Sequence, residues 1–335
     1  MESTGSSIKT EVDSTVTSTT LSHSTVQYPP SELVENTAGR VYHLAIPAET
    51  LAKKIILVGD PARVDLVASF FETLLDTSHH REFTAKSGMY KGKHITVMST
   101  GIGTDNIDIT LNELDACVNI DLHNRVDKKN LTSLEIVRIG TCGILQKDVS
   151  LFSYIISSLA YGFDNVAHFY DLPHLTSSVS TNAVKSAIDS HIADVFPMDF
   201  VTPYLAPAHG ALVDKLTSEK TVSGITVTSS GFYGPQGRSL RLNTKTRNLN
   251  DRLMSFSYEK DAAEAHAEKR TGSDVLRVMN YEMETSALYA LGTGMGHRCA
   301  TICLGIANRA AGEFASDEDL AVNMSRLVQY VLDRI

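Results

Sequence analysis

The sequence predicts a single three-layer α/β/α domain with a mixed central sheet. Three observations carry this expectation. Short apolar runs rich in β-branched residues alternate with segments of helical period, the pattern of strand–loop–helix units. Several of these runs end on glycine turns, where ligands gather in open α/β sheets. And 335 residues with 42% hydrophobic side chains bury a substantial core.

Taken in order, Met1 to Gly39 is expected to be a disordered tail. Fourteen of its first 25 residues are Ser or Thr, too little apolar surface to offset the entropy of ordering. The tail has no apolar signal core and no arginine before Arg40, so neither a secretory signal nor an organellar presequence is expected. The domain is expected over 41–335, after the Pro29-Pro30 and Gly39 breakers. Ile55 to Val58 reads as a strand closing on Gly59-Asp60-Pro61, with a helix placing Val64, Val67, Ala68 and Phe71 on one face. His94 to Thr100 is a second strand, ending at Gly101-Ile102-Gly103. The helix after it carries Ile107, Leu111, Leu114 and Val118 at near-helical spacing. A third strand runs from Leu134 to Ile139 and is expected to stop at Gly140-Thr141-Cys142-Gly143. Later strands are expected at Ile225 to Ser229, Val275 to Tyr281 and Ala300 to Ile306. The chain closes on an amphipathic helix capped near Ser316, with Leu320, Met324, Leu327, Val328 and Val331 inward. Two polar stretches, Asn119 to Thr132 and Asn243 to Asp274, read as surface excursions.

Composition excludes several functions. A formal charge of −9 argues against a nucleic-acid surface, which needs a concentrated basic face. No run of 18 apolar residues exists, so no membrane span is expected. The four cysteines, Cys117, Cys142, Cys299 and Cys303, form neither a CxxC pair nor a disulfide framework. They read as free thiols in the cytoplasm, without a structural zinc.

Five segments carry chemistry. Gly59-Asp60-Pro61-Ala62-Arg63 joins a buried strand to a helix N-terminus, a place that binds anions; a plain turn with a solvated arginine is the alternative. Arg138 interrupts an apolar strand, and a buried guanidinium must be paired or face a ligand. With Thr141 and a second arginine it would suit phosphate, whose oxygens match guanidinium bidentately; an internal salt bridge is the other reading. Gly101-Ile102-Gly103-Thr104-Asp105-Asn106 lacks the third glycine of a dinucleotide fingerprint and reads as a tight turn. Tyr281-Glu282-Met283-Glu284 offers two carboxylates for sugar hydroxyls around an adaptable methionine, or an ordinary acidic helix cap. Phe232 to Arg238 is an aromatic, glycine-rich loop. Its Gln236 and Arg238 are placed to read a pyrimidine's oxygens and imide, with Phe232 stacking; a surface loop with tucked aromatics is the alternative.

Together these segments resemble the uridine phosphorylase branch of the nucleoside phosphorylase family. The matching stretches, in family order from about residue 41 onward, are His43-Leu44, Gly59-Asp60-Pro61 with Arg63, His80-Arg81-Glu82-Phe83-Thr84 and Ser99 to Gly103. They continue with Arg138 to Thr141, Phe232-Tyr233, Gln236 with Arg238, Asn280 to Glu284 and Asn308-Arg309. The resemblance implies phosphorolysis of uridine to uracil and ribose 1-phosphate, with Arg138, Arg238 and Glu284 as catalytic residues. It implies a phosphate site of Gly59, Arg63, Arg138 and Thr141, completed by Arg81 of a neighbouring subunit. Ribose would be held by Glu282, Met283 and Glu284, and at its 5′-hydroxyl by the neighbour's His43; the base would be held by Phe232, Gln236, Arg238 and Ile306. No cofactor is required, but a cation between subunits is implied at Glu82, Ile102 and Asn106. Sites shared between subunits imply a homo-oligomer, and the long excursions favour a dimer over a hexamer.

Three features set this chain apart. The base loop reads Gly-Pro-Gln-Gly-Arg, whereas bacterial relatives place Pro before Gly. Cys142 sits beside the pocket as a packing residue. A purine phosphorylase is expected to place an Asp near the base, where this chain has Asn308. The competing readings are a purine nucleoside phosphorylase, a nucleosidase using water, which would not need Arg63, Arg81 and Arg138 together, and a catalytically silent nucleoside-binding subunit.

Overall fold

The computed structural model describes residues 27–196, 201–259 and 275–335. The first strand, β1 (Lys54–Val58), leads into helix α1 (Pro61–Ala68). The chain then meanders through β2 (Thr73–His80), β3 (Phe83–Tyr90) and β4 (Lys93–Ser99) before α2 (Thr104–Asn119). A small hairpin follows, β5 (Ile120–Asp121) and β6 (Val126–Asp127), then two ten-residue strands, β7 (Glu135–Ile144) and β8 (Tyr154–Phe163). Helices α3 (His174–Ser177) and α4 (Val179–Ile192) precede β9 (Tyr204–Pro207), α5 (Gly210–Leu216) and β10 (Thr221–Ser229). The remainder comprises α6 (Leu249–Ser255), β11 (Ser257–Glu259), β12 (Val275–Glu282), α7 (Thr285–Gly294), β13 (Arg298–Asn308), β14 (Glu313–Phe314) and α8 (Asp317–Arg334).

The sheet is mixed, as expected. Its order is β11-β12-β10-β8-β13-β7-β1-β4-β3-β2, and β12 also meets β7, so five strands close on themselves. The pairs of β1 with β4 and β7, and of β13 with β7, are parallel. The period-two alternation of strands divides the core. Ile55, Leu57 and Ile136 pack with α2 and α7, while Ile56, Val58, Val137 and Ile139 pack with α1, α5 and α8. Helices therefore cover both faces. By the same alternation Arg138 shares a face with Ile136, under α2 and α7.

Local signals set the element ends. The Asp60 side chain accepts from Ala62 N–H at 2.9 Å, and Pro61 takes the first helical position of α1, where its missing N–H is harmless. Ser316 caps α8 in the same way, and three acids in its first turn suit the helix dipole. No helix among the described residues is long and apolar enough to cross a membrane.

Four expectations are corrected. The third strand does not stop at Gly140: β7 runs through Gly-Thr-Cys-Gly to Ile144, because β13 and β12 supply pairing partners after β1 ends. Helix α1 ends at Ala68, leaving Phe71 in the turn that follows. The β2–β3 hairpin, β8 and α4 were not anticipated; the exposed alternation of β2 and the Ser/Thr content of α4 mask their periods. Residues 27–39, expected within the tail, lie against the domain, with Leu33 buried and Glu35 bridged to Val41. The rest of the expected tail, 1–26, lies outside the described residues. So does part of the second excursion, 260–274.

One charge cluster, where the adjacent strands β1, β7 and β13 begin, yields a stability prediction. Glu135 meets Lys54 at 2.5 Å and both Lys215 and Arg298 at 3.1 Å. Burial pushes its carboxyl up, but the hydrogen bonds and charges of Lys54 and Lys215 outweigh that and hold it down at about 2. A depressed carboxyl stabilises the fold above its unfolded value, near 4.3, and loses that contribution as pH falls towards the folded value. Water screens the cluster, so its contribution is about 1 kcal/mol. Glu135→Gln is expected to lower Tm by about 2 °C at pH 7. Thermal melts at several pH values should show the two curves converging below about pH 4; a gap independent of pH would exclude the charge as its cause.

Candidate active site

A cavity of about 1110 Å³ opens where the parallel strands end. Its position follows from the unequal lengths of β1 and β7. Strand β1 stops at Val58, paired with Ile139, and turns away at Gly59. Strand β7 continues, leaving one edge of Gly140 to Cys142 uncovered between that turn and β12, whose pairing begins at Gly143. The turns after β4, β10 and β12 converge on the same space. Gly59, Arg63, Arg138 and Thr141 line it, as do Phe232, Gln236, Arg238, Glu282, Met283, Glu284 and Ile306. Glu82, Ile102 and Asn106 line it too.

Arg138 is the centre of the polar network. It is 5% exposed, and it reaches both carboxylates of the Glu282-Met283-Glu284 turn. Its Nη1 lies 3.3 Å from Glu282, and its Nη2 donates to Glu284. The internal pairing expected as one alternative is present, and the guanidinium also lines the cavity. Burial alone would push it down, but Glu284 and Glu282 outweigh that and hold it firmly charged. Its Nε, also buried, has no hydrogen-bond partner among the described residues. Gly140 leaves room for this side chain, since a Cβ there would sit 2.2 Å from Arg138 Nη1.

The two acids do different work. Glu282 is saturated: it accepts from Thr228 Oγ1 at 2.6 Å and from the N–H groups of Glu284 at 2.9 Å and Thr285 at 3.0 Å. It thereby satisfies N–H groups at the start of α7. Glu284 accepts from Gly103 N–H at 2.7 Å, tying α7 to the turn before α2. That turn needs its glycine, because Gly103 has φ of 99°. Burial pushes the Glu284 carboxyl up, Arg138 pulls it down and Glu282 pushes it up; burial dominates.

Arg63 lies in the first turn of α1. Among the described residues no carboxylate comes within ion-pair distance of it. Burial lowers its pKa, and the like charge of Arg138 lowers it further. An anion between the two guanidinium groups would relieve that repulsion.

At the other end, Arg238 Nη1 donates to Phe232 O and to Gln236 Oε1, both at 2.5 Å, and its guanidinium covers the Phe232 ring at 3.9 Å. Burial and neighbouring Arg309 bring Arg238 down to about 10. Arg309 Nη1 holds the loop from behind through Gln236 O at 2.8 Å. The sequence had placed Arg309 in a matching stretch without a role, since nothing in its local pattern shows a contact 73 residues away. Asn308 does not approach the base region. It is buried and spent on backbone groups, donating to Gln146 O and Val149 O and accepting from Ala311 N–H. It therefore offers no discrimination between bases. Cys142 lines the cavity, and burial raises its thiol, so it stays protonated packing material.

Two expected residues lie outside the cavity. His43 Nδ1 is 2.7 Å from Glu113, and Arg81 sits over the Tyr42 ring at 5.8 Å. At the rim, Glu82 and Asn106 converge on Gly101, whose added Cβ would meet the Asn106 amide at 2.6 Å and Glu82 Cγ at 3.1 Å. One carboxylate, one amide and the Ile102 carbonyl are hard oxygen donors, which fit an alkali or alkaline-earth cation rather than a transition metal.

The family model of the phosphorylase superfamily matches residues 53–335. The chain belongs to the phosphorylase superfamily. It is 26% identical over 314 residues to the uridine phosphorylase of Thermococcus kodakarensis, covering 92% of each chain. It is 25% identical over 295 residues to a purine nucleoside phosphorylase of the DeoD type from Oceanobacillus iheyensis, covering 88% of this chain and 98% of that one. Among solved structures, a Trypanosoma brucei nucleoside phosphorylase with uridine phosphorylase activity superposes with a TM-score of 0.80 at 27% identity, over 90% of this chain and 99% of that one. Phosphorylases of this type are pentosyltransferases acting on a nucleoside and phosphate. The two ends of the cavity, one cationic and one lined by aromatic and amide groups, suit those two substrates.

Proposed function

We propose that the chain is a uridine phosphorylase, converting uridine and phosphate reversibly into uracil and ribose 1-phosphate in pyrimidine salvage. The observation that carries this reading is Arg63, a half-buried cation with no carboxylate partner among the described residues, facing Arg138 in the cavity that also holds Glu284 and Gln236.

In this reading phosphate sits among the Gly59 turn, Arg63, Arg138 and Thr141. The ribose lies over Met283, with Glu284 accepting from its 2′-hydroxyl. Glu282 contributes by holding Arg138 and the α7 N-terminus, because its oxygens are already engaged. The base lies between Phe232 and Ile306, with Gln236 and Arg238 on its polar edge. As the glycosidic bond loosens, positive charge grows on the ribose and negative charge on the uracil. Arg238 meets the departing anion, and the phosphate oxygens meet the sugar cation. The arginines hold the nucleophile in line, replacing an encounter in solution by a fixed approach.

The reading includes a homodimer that completes each site with His43 and Arg81 of the other subunit, for both lie outside their own chain's cavity. An interface cation at Glu82, Ile102 and Asn106 belongs to it, as does a cytoplasmic location, supported by four free cysteines. Gln236 and Arg238 favour a pyrimidine; Asn308 lends nothing to that choice.

The test is uracil release by purified protein with and without phosphate. Phosphate-dependent release with ribose 1-phosphate as co-product supports the reading. Equal release without phosphate makes the protein a hydrolase, turnover of inosine alone moves it to the purine branch, and silence on all nucleosides leaves a binding subunit.

A further inference from the structure

The first polar excursion has a specific task. Arg125, at the tip of the β5–β6 hairpin, adopts φ of 59°, a left-handed conformation that costs a non-glycine residue energy. From there its guanidinium gathers the preceding segment. Nε donates to Tyr28 O at 2.8 Å, Nη1 to Glu35 at 2.9 Å, and Nη2 to Pro29 O at 3.3 Å and to Leu33 O. The backbone adds Tyr28 N–H to Arg125 O at 2.8 Å, and Tyr28 OH reaches Asp127 at 2.8 Å.

This clasped segment runs through a turn organised by Asn36, whose side chain accepts from Ala38 and Arg40 N–H. It then enters the core at Val41. Two residues later comes His43, and a second fastening. Glu113 of α2 accepts from the N–H groups of His43 and Leu44 and from His43 Nδ1, at 2.7–3.0 Å. A carboxylate accepts only, so Nδ1 carries the hydrogen and Nε2 is the ring nitrogen left to meet a ligand. Among the described residues Nε2 has no hydrogen-bond partner, and the ring is partly exposed.

We propose that Arg125 and Glu113 are positioning residues that mount the N-terminal arm, residues 28–44, so that His43 turns Nε2 outward to the nucleoside site of a second copy. This rests on the reading above, in which His43 serves the neighbour's ribose at its 5′-hydroxyl. Glu113 sets the ring's tautomer and direction; Arg125 keeps the arm that leads to it from lifting.

The test uses the full-length enzyme and two readouts. The first is amide hydrogen exchange of residues 28–44. The second is the ratio of kcat/KM for uridine to that for 5′-deoxyuridine, which isolates the 5′-hydroxyl contact. Arg125→Ala is expected to speed exchange in the arm at least tenfold while β1 is unchanged, and to lower the ratio about threefold. Glu113→Gln is expected to lower the ratio about tenfold, the scale of one aligned hydrogen bond. Unchanged ratios in both variants, unchanged arm exchange in Arg125→Ala, or a wild type indifferent to the 5′-hydroxyl would each overturn the proposal. A wild type that turns over no uridine would instead remove the functional reading, while the exchange data would still decide whether Arg125 clasps the arm.

Discussion

Arg138→Ala is expected to lower kcat/KM by about 10²–10³-fold, the scale for removing one preorganised electrostatic contact from a closed site. The structure adds a stability cost. Without the guanidinium, Glu282 and Glu284 face one another in the interior, and breaking a buried ion pair by deleting one partner costs about 3–5 kcal/mol. The loss should shrink as pH falls, because protonating either acid relieves the uncompensated charge. Steady-state kinetics at 25 °C, with thermal melts at pH 5 and pH 8, separate the two effects. A variant that phosphorolyses near the wild-type rate would remove Arg138 from the mechanism. A variant equally stable to wild type at both pH values would show that the carboxylates find other partners.

Glu284→Gln is expected to reduce kcat/KM for uridine by about 10²-fold, from two sources. The charged acceptor for the sugar hydroxyl becomes a neutral amide, weakening what would be a charge-assisted hydrogen bond. Arg138 also loses one of the two anions that aim it. The second source makes a further result predictable: the double variant with Arg138→Ala should fall short of the product of the single effects, because residues that share one network do not act independently. Full additivity would mean that Glu284 does not position Arg138. If the loss is as large for 2′-deoxyuridine as for uridine, Glu284 acts through Arg138 and not through the 2′-hydroxyl. Gln retains an acceptor for Gly103 N–H, so the α2–α7 link should survive and Tm should change less than in Arg138→Ala.

Much of the site is legible in sequence because it is built from local punctuation. A glycine turn after an apolar run marks a strand end, and strand ends are where an α/β sheet offers backbone and side chains to a ligand. Gly59 to Arg63 announces itself this way, Arg138 as a charge inside an apolar strand, and Glu282 to Glu284 as paired acids where a strand meets a helix. Less is legible where a residue's partner is distant. Thr228 completes the Glu282 cap, Gly103 completes Glu284, and Arg309 braces Gln236, yet none belongs to the segment it serves. Asn308 misleads for the same reason. Its place beside Arg309 suggests a base contact, and its contacts with Gln146 and Val149 emerge only once β13 lies beside the loop that follows β7.

By itself the sequence determined the α/β class, most of the strand ends around the cavity and the residue types gathered there. These follow from periodicity and turn chemistry, which act within a few residues. The tertiary structure decided how far β7 runs, which acid is saturated and which arginine has no carboxylate partner among the described residues. It also decided that a polar excursion clasps the arm before His43. Those outcomes depend on which strands pair and which buried groups compete for one guanidinium, and such competition is settled only when segments a hundred residues apart are packed together.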